Sequence, residues 1–527
     1  MRTILFGLVV FLGGIPLFAQ NALLDSVQVM GGSGFDRVLS VTPDNAGNIF
    51  VLGITQSPDF PATATFGDRP TTPSNTLGDA FVAKIRLADW SLTWSAVIRP
   101  CTPLALAIDS SGAVYLTGWT ESPANFPSTS GAFRTKVNGP WGPLFVLKLD
   151  PSGSRIVYSA FLAPYELYAN APIAVDGQGR VYVSSVGESP ITSDAVFPAV
   201  TSGSRGAYLA KLSADGSTLI FCTYLATSDT LAAGAIAVDD QQNVFVAGGA
   251  DAYRSAFPAT PGVVQPKHGG SADAFVMKFR ADGGKIEFAT LLGGAGGDSA
   301  SFIRLGTDGS IYIAGGCESG TGSSSDAPFP TTPNAPFRAF GLFQGFVSRL
   351  SPDATSLLFS TYVSKTDVNS PYSTEVTALA MSGGKIYAAY PTMISRGFIE
   401  LNYFGTADLQ STAVQAFDVN TGAAPGPPLR LPSLPPDGFA ISGTNLLVAS
   451  NRSQISLPVP STIKPIGSLD APASPANPSV LLSDITLGKF DLAGMPDNDI
   501  DTDRGDVYFE IYPGATAQQT LNITSSA

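Results

Sequence analysis

One short line recurs seven times in this chain, at intervals of roughly 66 residues. It reads Phe50-Val51-Leu52-Gly53, Tyr115-Leu116-Thr117-Gly118, Tyr182-Val183-Ser184-Ser185, Phe245-Val246-Ala247-Gly248, Tyr312-Ile313-Ala314-Gly315, Tyr387-Ala388-Ala389-Tyr390 and Leu447-Val448-Ala449-Ser450. Each copy has strand length and is rich in β-branched and aromatic residues. A unit of this size built from strands alone cannot bury its own apolar faces. Neighbouring units must do so, which predicts small sheets stacked side by side about an axis.

Around that line each unit parses into four strands. In the first unit they are Val38 to Val41, Ile49 to Gly53, Ala80 to Ile85 and Ser91 to Val97, bounded by Gly, Asp and Pro. Tight turns such as Asp44 to Asn48, Asp109 to Gly112 and Asp176 to Gly179 join the first two strands. Asp tolerates the start of such a turn and Gly supplies the positive φ that closes it. The third strand is clearest at Leu144 to Lys148, Ala207 to Lys211, Ala274 to Lys278 and Gly345 to Arg349. Units six and seven are degenerate, with third strands expected at Ala413 to Asp418 and Ile485 to Phe490. The seventh unit lacks a fourth strand of its own, while Ser26 to Met30 resembles the fourth strand Phe288 to Gly294. The N-terminal segment is therefore expected to complete the last sheet and remove the open edges.

The first unit, with Gly31-Gly32-Ser33-Gly34-Phe35-Asp36, Thr55 to Pro61 and Asp79 to Lys84, resembles the bacterial SBBP family, named for a seven-bladed β-propeller. Thr120-Glu121-Ser122, Phe126-Pro127, Phe257-Pro258 and Asp273 to Lys278 repeat parts of the pattern. The resemblance is good over about residues 25 to 350 and weak over about 375 to 494. It implies an all-β, seven-bladed propeller of four-stranded antiparallel blades across residues 25–494. It transfers no catalytic residue.

The flanks read differently. Arg2, the apolar run Ile4 to Phe18 and Ala19 fit an export signal over residues 1–19, which implies a secreted, periplasmic or cell-surface protein with no membrane insertion after cleavage. Residues 495–527 read as an acidic linker with a short β tail or the start of an Ig-like module. There Asp499, Asp501, Asp503 and Glu510 form an alternating acidic run that suits calcium. Arg504 stands where the helix–loop–helix calcium motif requires Gly, so a solvated linker is the rival reading. No other cofactor is expected. Gly31 to Leu39 also fits a calcium-binding nonapeptide, but that site needs tandem copies and the second, Gly293 to Asp298, lies far along the chain. A turn is the better reading.

Composition narrows the function. Charged residues make up 13% of the chain and the net charge is −13, whereas nucleic acid and anionic membranes demand clustered Lys and Arg. The 55 Gly and 41 Pro sit beside 44% apolar residues, so they read as turns of a well-filled fold rather than as disorder. Cys101, Cys222 and Cys317 have no paired spacing and read as small buried hydrophobes. His268 is the sole histidine, which excludes a multi-histidine metal centre and disfavours a Ser-His-Asp triad. The repeated Lys84, Lys148, Lys211, Lys278, Arg349 and Lys489 read as structural partners of the turn aspartates.

What remains is the face carrying the second-to-third-strand connections, the longest in each unit. Trp119, Glu121, Trp141, Asp59 and Phe60 are its candidate ligand-binding residues, since aromatics among short polar residues suit sugars or peptides. The recurring Phe-Pro pairs also fit loops pinned to their blades. The leading expectation is an exported, monomeric, non-enzymatic propeller scaffold binding a glycan or a surface protein. The alternatives are a secreted carbohydrate-active hydrolase or lyase using loop carboxylates, and a purely structural cell-envelope module.

Overall fold

The computed structural model describes residues 23–44, 46–68, 78–136, 142–164, 170–200, 205–227, 231–252, 257–318, 327–338, 343–364, 375–393, 410–426, 428–431, 438–443, 445–451 and 485–491. The export signal of residues 1–19, Trp141, and the tail with Asp499, Asp501, Asp503 and Glu510 lie outside the described residues. Among the described residues there is no helix, and hence none long and apolar enough to cross a membrane.

The chain is an all-β propeller of antiparallel meanders. Its described strands fall into seven sheets, six of four strands and one of five. The first blade contains Asp36–Pro43, Asn48–Thr55, Asp79–Arg86 and Leu92–Ile98, and the second Thr102–Ile108, Val114–Trp119, Pro143–Leu149 and Ile156–Pro164. The third follows with Ile173–Val175, Val181–Gly187, Gly206–Leu212 and Leu219–Tyr224, and the fourth with Leu231–Val238, Val244–Asp251, Ala272–Phe279 and Ile286–Leu292. The fifth is Asp298–Leu305, Ile311–Cys317, Gln344–Leu350 and Leu357–Tyr362; the sixth is Ala378–Ser382, Lys385–Met393, Gln410–Asp418 and Leu429–Leu431. The last sheet takes Gly438–Ser442, Asn445–Asn451 and Ile485–Asp491, then Leu23–Met30 from the start of the chain. That N-terminal strand runs antiparallel to Ile485–Asp491, from Leu23 opposite Asp491 to Met30 opposite Ile485.

The five-stranded sheet departs from the expected four-stranded blade. Ala64–Phe66, inside the long loop of the first blade, lies parallel to Ala96 through Ile98 and covers the outer edge of that blade. Three residues carry too little pattern to announce a strand, and the partner that makes them one is more than thirty residues away.

Burial follows the seams between sheets. Seven apolar clusters form. One joins Phe50, Val82 and Trp94 of the first blade to Val114 and Phe145 of the second. Another joins Met30, Ala440 and Leu447 to Val38, Ile49 and Phe81, so the last sheet packs against the first. Each sheet thus buries its faces on its neighbours, as the repeat requires.

The short-turn face is held by a repeated arrangement of ring, cation and acid. The third-strand cation lies over the second-strand ring: Lys84 over Phe50 at 5.0 Å, Lys148 over Tyr115 at 4.7 Å, Arg349 over Tyr312 at 5.5 Å. The expected pairing with turn aspartates holds for Lys84–Asp44 at 3.6 Å, Lys148–Asp109 at 3.9 Å and Arg349–Asp308 at 2.5 Å. It fails twice. Lys278 turns to Glu287 at 3.1 Å, and in the third blade Arg180 takes Asp176 at 2.7 Å. Lys489 has no described side chain.

Lys211 is left 2% exposed, donating to the carbonyl of Ala281 at 2.8 Å. Burial first, and then the nearby Arg180, pushes its ammonium down to about 8 from 10.5. Below pH 8 both folded and unfolded chains carry this proton, and only the folded chain bears its desolvation. Between about pH 8 and 10.5 the folded chain has released the proton, so this group makes stability rise with pH across that window. Lys211→Met is accordingly expected to stabilise the protein at pH 7 by about 1–2 kcal/mol. Urea midpoints against pH check this; a lower midpoint for the variant at pH 7 would show the ammonium to be net stabilising.

Candidate binding face

The connections fall into two classes with opposite geometry. On one face, four- to six-residue segments such as 109–113, 150–155 and 213–218 close hairpins whose first residues bond back across the turn. Asp109 shows why Asp recurs there: its carboxylate accepts from the backbone N–H groups of Ser111 and Ala113 and from the Tyr115 hydroxyl. On the other face lie the long connections between second and third strands, 56–78, 120–142, 188–205 and 252–271 among them.

The roots of these long loops are fixed by a recurring aromatic pair. A loop Phe lies on the third-strand Phe beneath it: Phe60 on Phe81 at 4.5 Å, Phe126 on Phe145 at 4.5 Å, Phe257 on Phe275 at 5.9 Å and Phe329 on Phe346 at 4.3 Å between ring centroids. Phe60 is therefore buried and supplies no open ring for a ligand, a correction to its candidacy. Trp119 is corrected likewise, since it is buried in the cluster between the second and third blades. Glu121 is exposed and borders a depression with the edge of Trp119, Pro100, Cys101 and Ser122. The empty volume there is about 190 Å³ including its open mouth, below the 300 Å³ at which ligand pockets begin. Asp59 accepts from the backbone N–H and the hydroxyl of Ser33 at 2.7 and 2.8 Å, tying the loop to the segment entering the blade. Asp59 and Glu121 stand in different blades and do not form one pocket.

The Gly-Gly segments behave as turns. Asp36 accepts from Gly32 N–H at 2.7 Å and from the Ser57 hydroxyl at 2.8 Å. Asp298 accepts from Gly294 N–H at 2.7 Å. Each carboxylate is spent on the backbone of its own Gly-Gly segment, and Asp36 also on the Ser57 hydroxyl of the adjoining long loop.

In a second group, Asp273 and Glu375 were not singled out by sequence reasoning, whereas Glu318 reads as part of the long-loop face from its place just after a second strand. The group is spread over the long-loop ends of the fourth and fifth blades and the entry to the sixth. Asp273, fully buried, accepts from His268 Nδ1 at 2.6 Å, from Gly269 N–H and from Gln265. Burial raises its carboxyl pKa, against the pull of His268. In the first blade the equivalent Asp79 pairs with Arg99 at 3.1 Å, so His268 is the fourth blade's version of that partner. At the entry to the sixth blade Glu375 is exposed at its surface, though desolvation by its surroundings, and then the charge of Glu318, raise its carboxyl pKa, opposed by a bond from the Ser301 hydroxyl. Two neighbouring carboxyls, one of them held toward its neutral form, can give and take a proton. The signal that could have found it is the Asp at the head of the third strand, shared by the first and fourth blades as Asp79 and Asp273, which needs a partner once buried. Among the described residues no three metal-ligating side chains converge.

No family model matches this chain, and no curated protein matches it. Solved structures resemble its fold. Hydrazine synthase of Kuenenia stuttgartiensis is 12% identical, with a TM-score of 0.43 over 85% of this chain and 100% of that one. A polysaccharide lyase, an ulvan lyase, is 12% identical with a TM-score of 0.41, over 80% and 92%. The Cps50 (Swd1) β-propeller domain of Myceliophteria thermophila is 8% identical with a TM-score of 0.43, over 89% and 99%. At these identities the likeness is one of architecture alone.

Proposed function

We propose that this chain is an exported propeller scaffold of the SBBP type, its seven sheets acting as one closed ring, and that it binds a glycan or a surface protein through its long-loop face without turning it over. The observation that carries this reading is the asymmetry of the two faces. Tight, charge-paired hairpins close one, while long connections rooted by the same Phe–Phe contact gather on the other. A rigid frame with variable loops on one face is the usual arrangement for recognition. The acidic surface and scarcity of charge suit neutral or cationic partners better than nucleic acid. A glycan array run beside a polysaccharide-degradation screen tests the reading: retention on one class without released product is expected, and no retention on any surface would leave the structural-module alternative.

The Glu318–Glu375 pair supports a second reading, a carbohydrate-active hydrolase or lyase. If the degradation screen yields product, Glu375→Gln is expected to lower turnover by about 100-fold or more, while leaving the thermal midpoint and ligand retention in place. Full turnover in that variant would remove the pair from consideration.

A further inference from the structure

The repeat makes one departure on the inner ring. In every sheet one inner-strand residue stands opposite the first residue of the recurrent second-strand line. At this register position six blades place Thr42, Ala107, Ala174, Ala237, Ala380 and Ala440. The fifth blade places Arg304, opposite Tyr312. Elsewhere around the axis the inner strands of neighbouring sheets lie against one another, so a small side chain is what the packing asks for, whereas the fifth and sixth inner strands touch only weakly. An arginine there departs from the structural rule.

The surroundings of Arg304 sharpen the point. Its Nη1 donates to the carbonyl of Ile303 at 2.8 Å, and its Nη2 to the carbonyl of Leu379 at 3.4 Å, on the inner strand of the sixth blade. Among the described residues no carboxylate lies within the 4.0 Å of an ion pair. The side chain is exposed, yet the surrounding protein partly desolvates it and holds its pKa below the ordinary value. The bond to Leu379 sets its head group between the inner strands of the fifth and sixth blades. Arg304 is one residue from the end of its strand and the turn at Gly306 to Ser310, which puts it toward the short-turn face.

A guanidinium has five N–H donors in a planar fork that matches the paired oxygens of an oxyanion. Here two are directed at carbonyls and no counter-charge is at hand. We propose that Arg304 anchors an anion site between the inner strands of the fifth and sixth blades, near the short-turn face, that takes a small oxyanion: a carboxylate, sulfate or phosphate. The site is separate from the long-loop face and goes beyond the binding role assigned to that face. With a net charge of −13 on the chain, long-range attraction is absent and recognition depends on the short-range fork.

The test uses the full chain, with thermal unfolding followed in sodium chloride and then in sodium glucuronate, sulfate or phosphate at matched ionic strength. Arg304→Gln removes the fork, and Arg155→Gln removes an exposed cation as a control for general charge effects. At least one oxyanion is expected to raise the midpoint of the wild type and of R155Q by about 2 °C or more, saturably, and to give no such rise in R304Q. Which anion acts identifies the chemistry. An equal rise in R304Q, or no rise over chloride in the wild type, overturns the site. Should R304Q fail to fold, Arg304→Lys decides by calorimetric titration: it keeps the charge but loses the fork. A fall in affinity of about tenfold supports the proposal, and unchanged affinity overturns it.

Discussion

Deleting Leu23–Met30 is expected to lower the midpoint of thermal unfolding by about 5 °C or more and to make the protein self-associate. The strand closes the last sheet through a register that runs from Leu23 to Met30 against Asp491 to Ile485. Its final residue, Met30, is fully buried in the cluster that joins the last sheet to Val38 and Val41 of the first. Truncating such a side chain alone costs about 2–5 kcal/mol, and the deletion also removes a ladder of backbone hydrogen bonds. At about 1 °C per kcal/mol for a chain of this length, the two losses together give the shift. The freed edge of Ile485–Asp491 would then present unpaired N–H and C=O groups to other molecules. Light scattering reads that association, and a synthetic peptide spanning residues 22–31 should reverse both effects in trans. A truncated chain that melts within 2 °C of the intact one would mean that the seam between last and first sheets is held elsewhere.

Closure was legible in the sequence because it rests on patterning. Ser26 to Met30 carries the fourth-strand signature, and the seventh unit ends one strand short. The degenerate third strands were legible for the same reason: Ala413 to Asp418 lies within Gln410–Asp418, and Ile485 to Phe490 within Ile485–Asp491. The direction of single side chains was not legible. A loop Phe beside a Pro has the same local sequence whether it faces solvent or, like Phe60, a ring beneath it. The cation partners were half legible. Arg180 and Glu287 are local substitutions that redirect Asp176 and Lys278, and period alone does not see them. Arg304 was legible by counting: it stands eight residues before Tyr312, as Ala107, Ala174 and Ala237 stand before Tyr115, Tyr182 and Phe245, but the recurrent line draws attention to the second strand and not to the inner one. The slip of the inner strand between Ala300 and Phe302 lies on the far side of Arg304 from the turn and leaves that count intact.

That slip also explains the recurrent glycine and leads to the second large effect. The inner strand bulges between Val38 and Ser40, Pro103 and Ala105, Ala233 and Ala235, and Ala300 and Phe302. Opposite each bulge stands Gly53, Gly118, Gly248 or Gly315, the last residue of the repeated line. In the third, sixth and seventh sheets that position holds Ser185, Tyr390 or Ser450, and the pairing with the inner strand ends before reaching it. A bulge drives a carbonyl of the inner strand toward the second strand, and only a residue without Cβ leaves room for it. At Gly248 a Cβ would collide with the carbonyl oxygen of Ala232 and crowd Ala233 Cα, all of it backbone that no rotamer change can move. Gly248→Ala is therefore expected to destabilise the protein by about 3 kcal/mol or more. Ser185→Ala, in a blade without the bulge, should cost under about 1 kcal/mol. Urea denaturation of the two variants beside the parent gives the comparison. If Gly248→Ala lost less than Ser185→Ala, the bulge would be free to relax, and the glycine would owe its recurrence to something other than the close approach of the two strands.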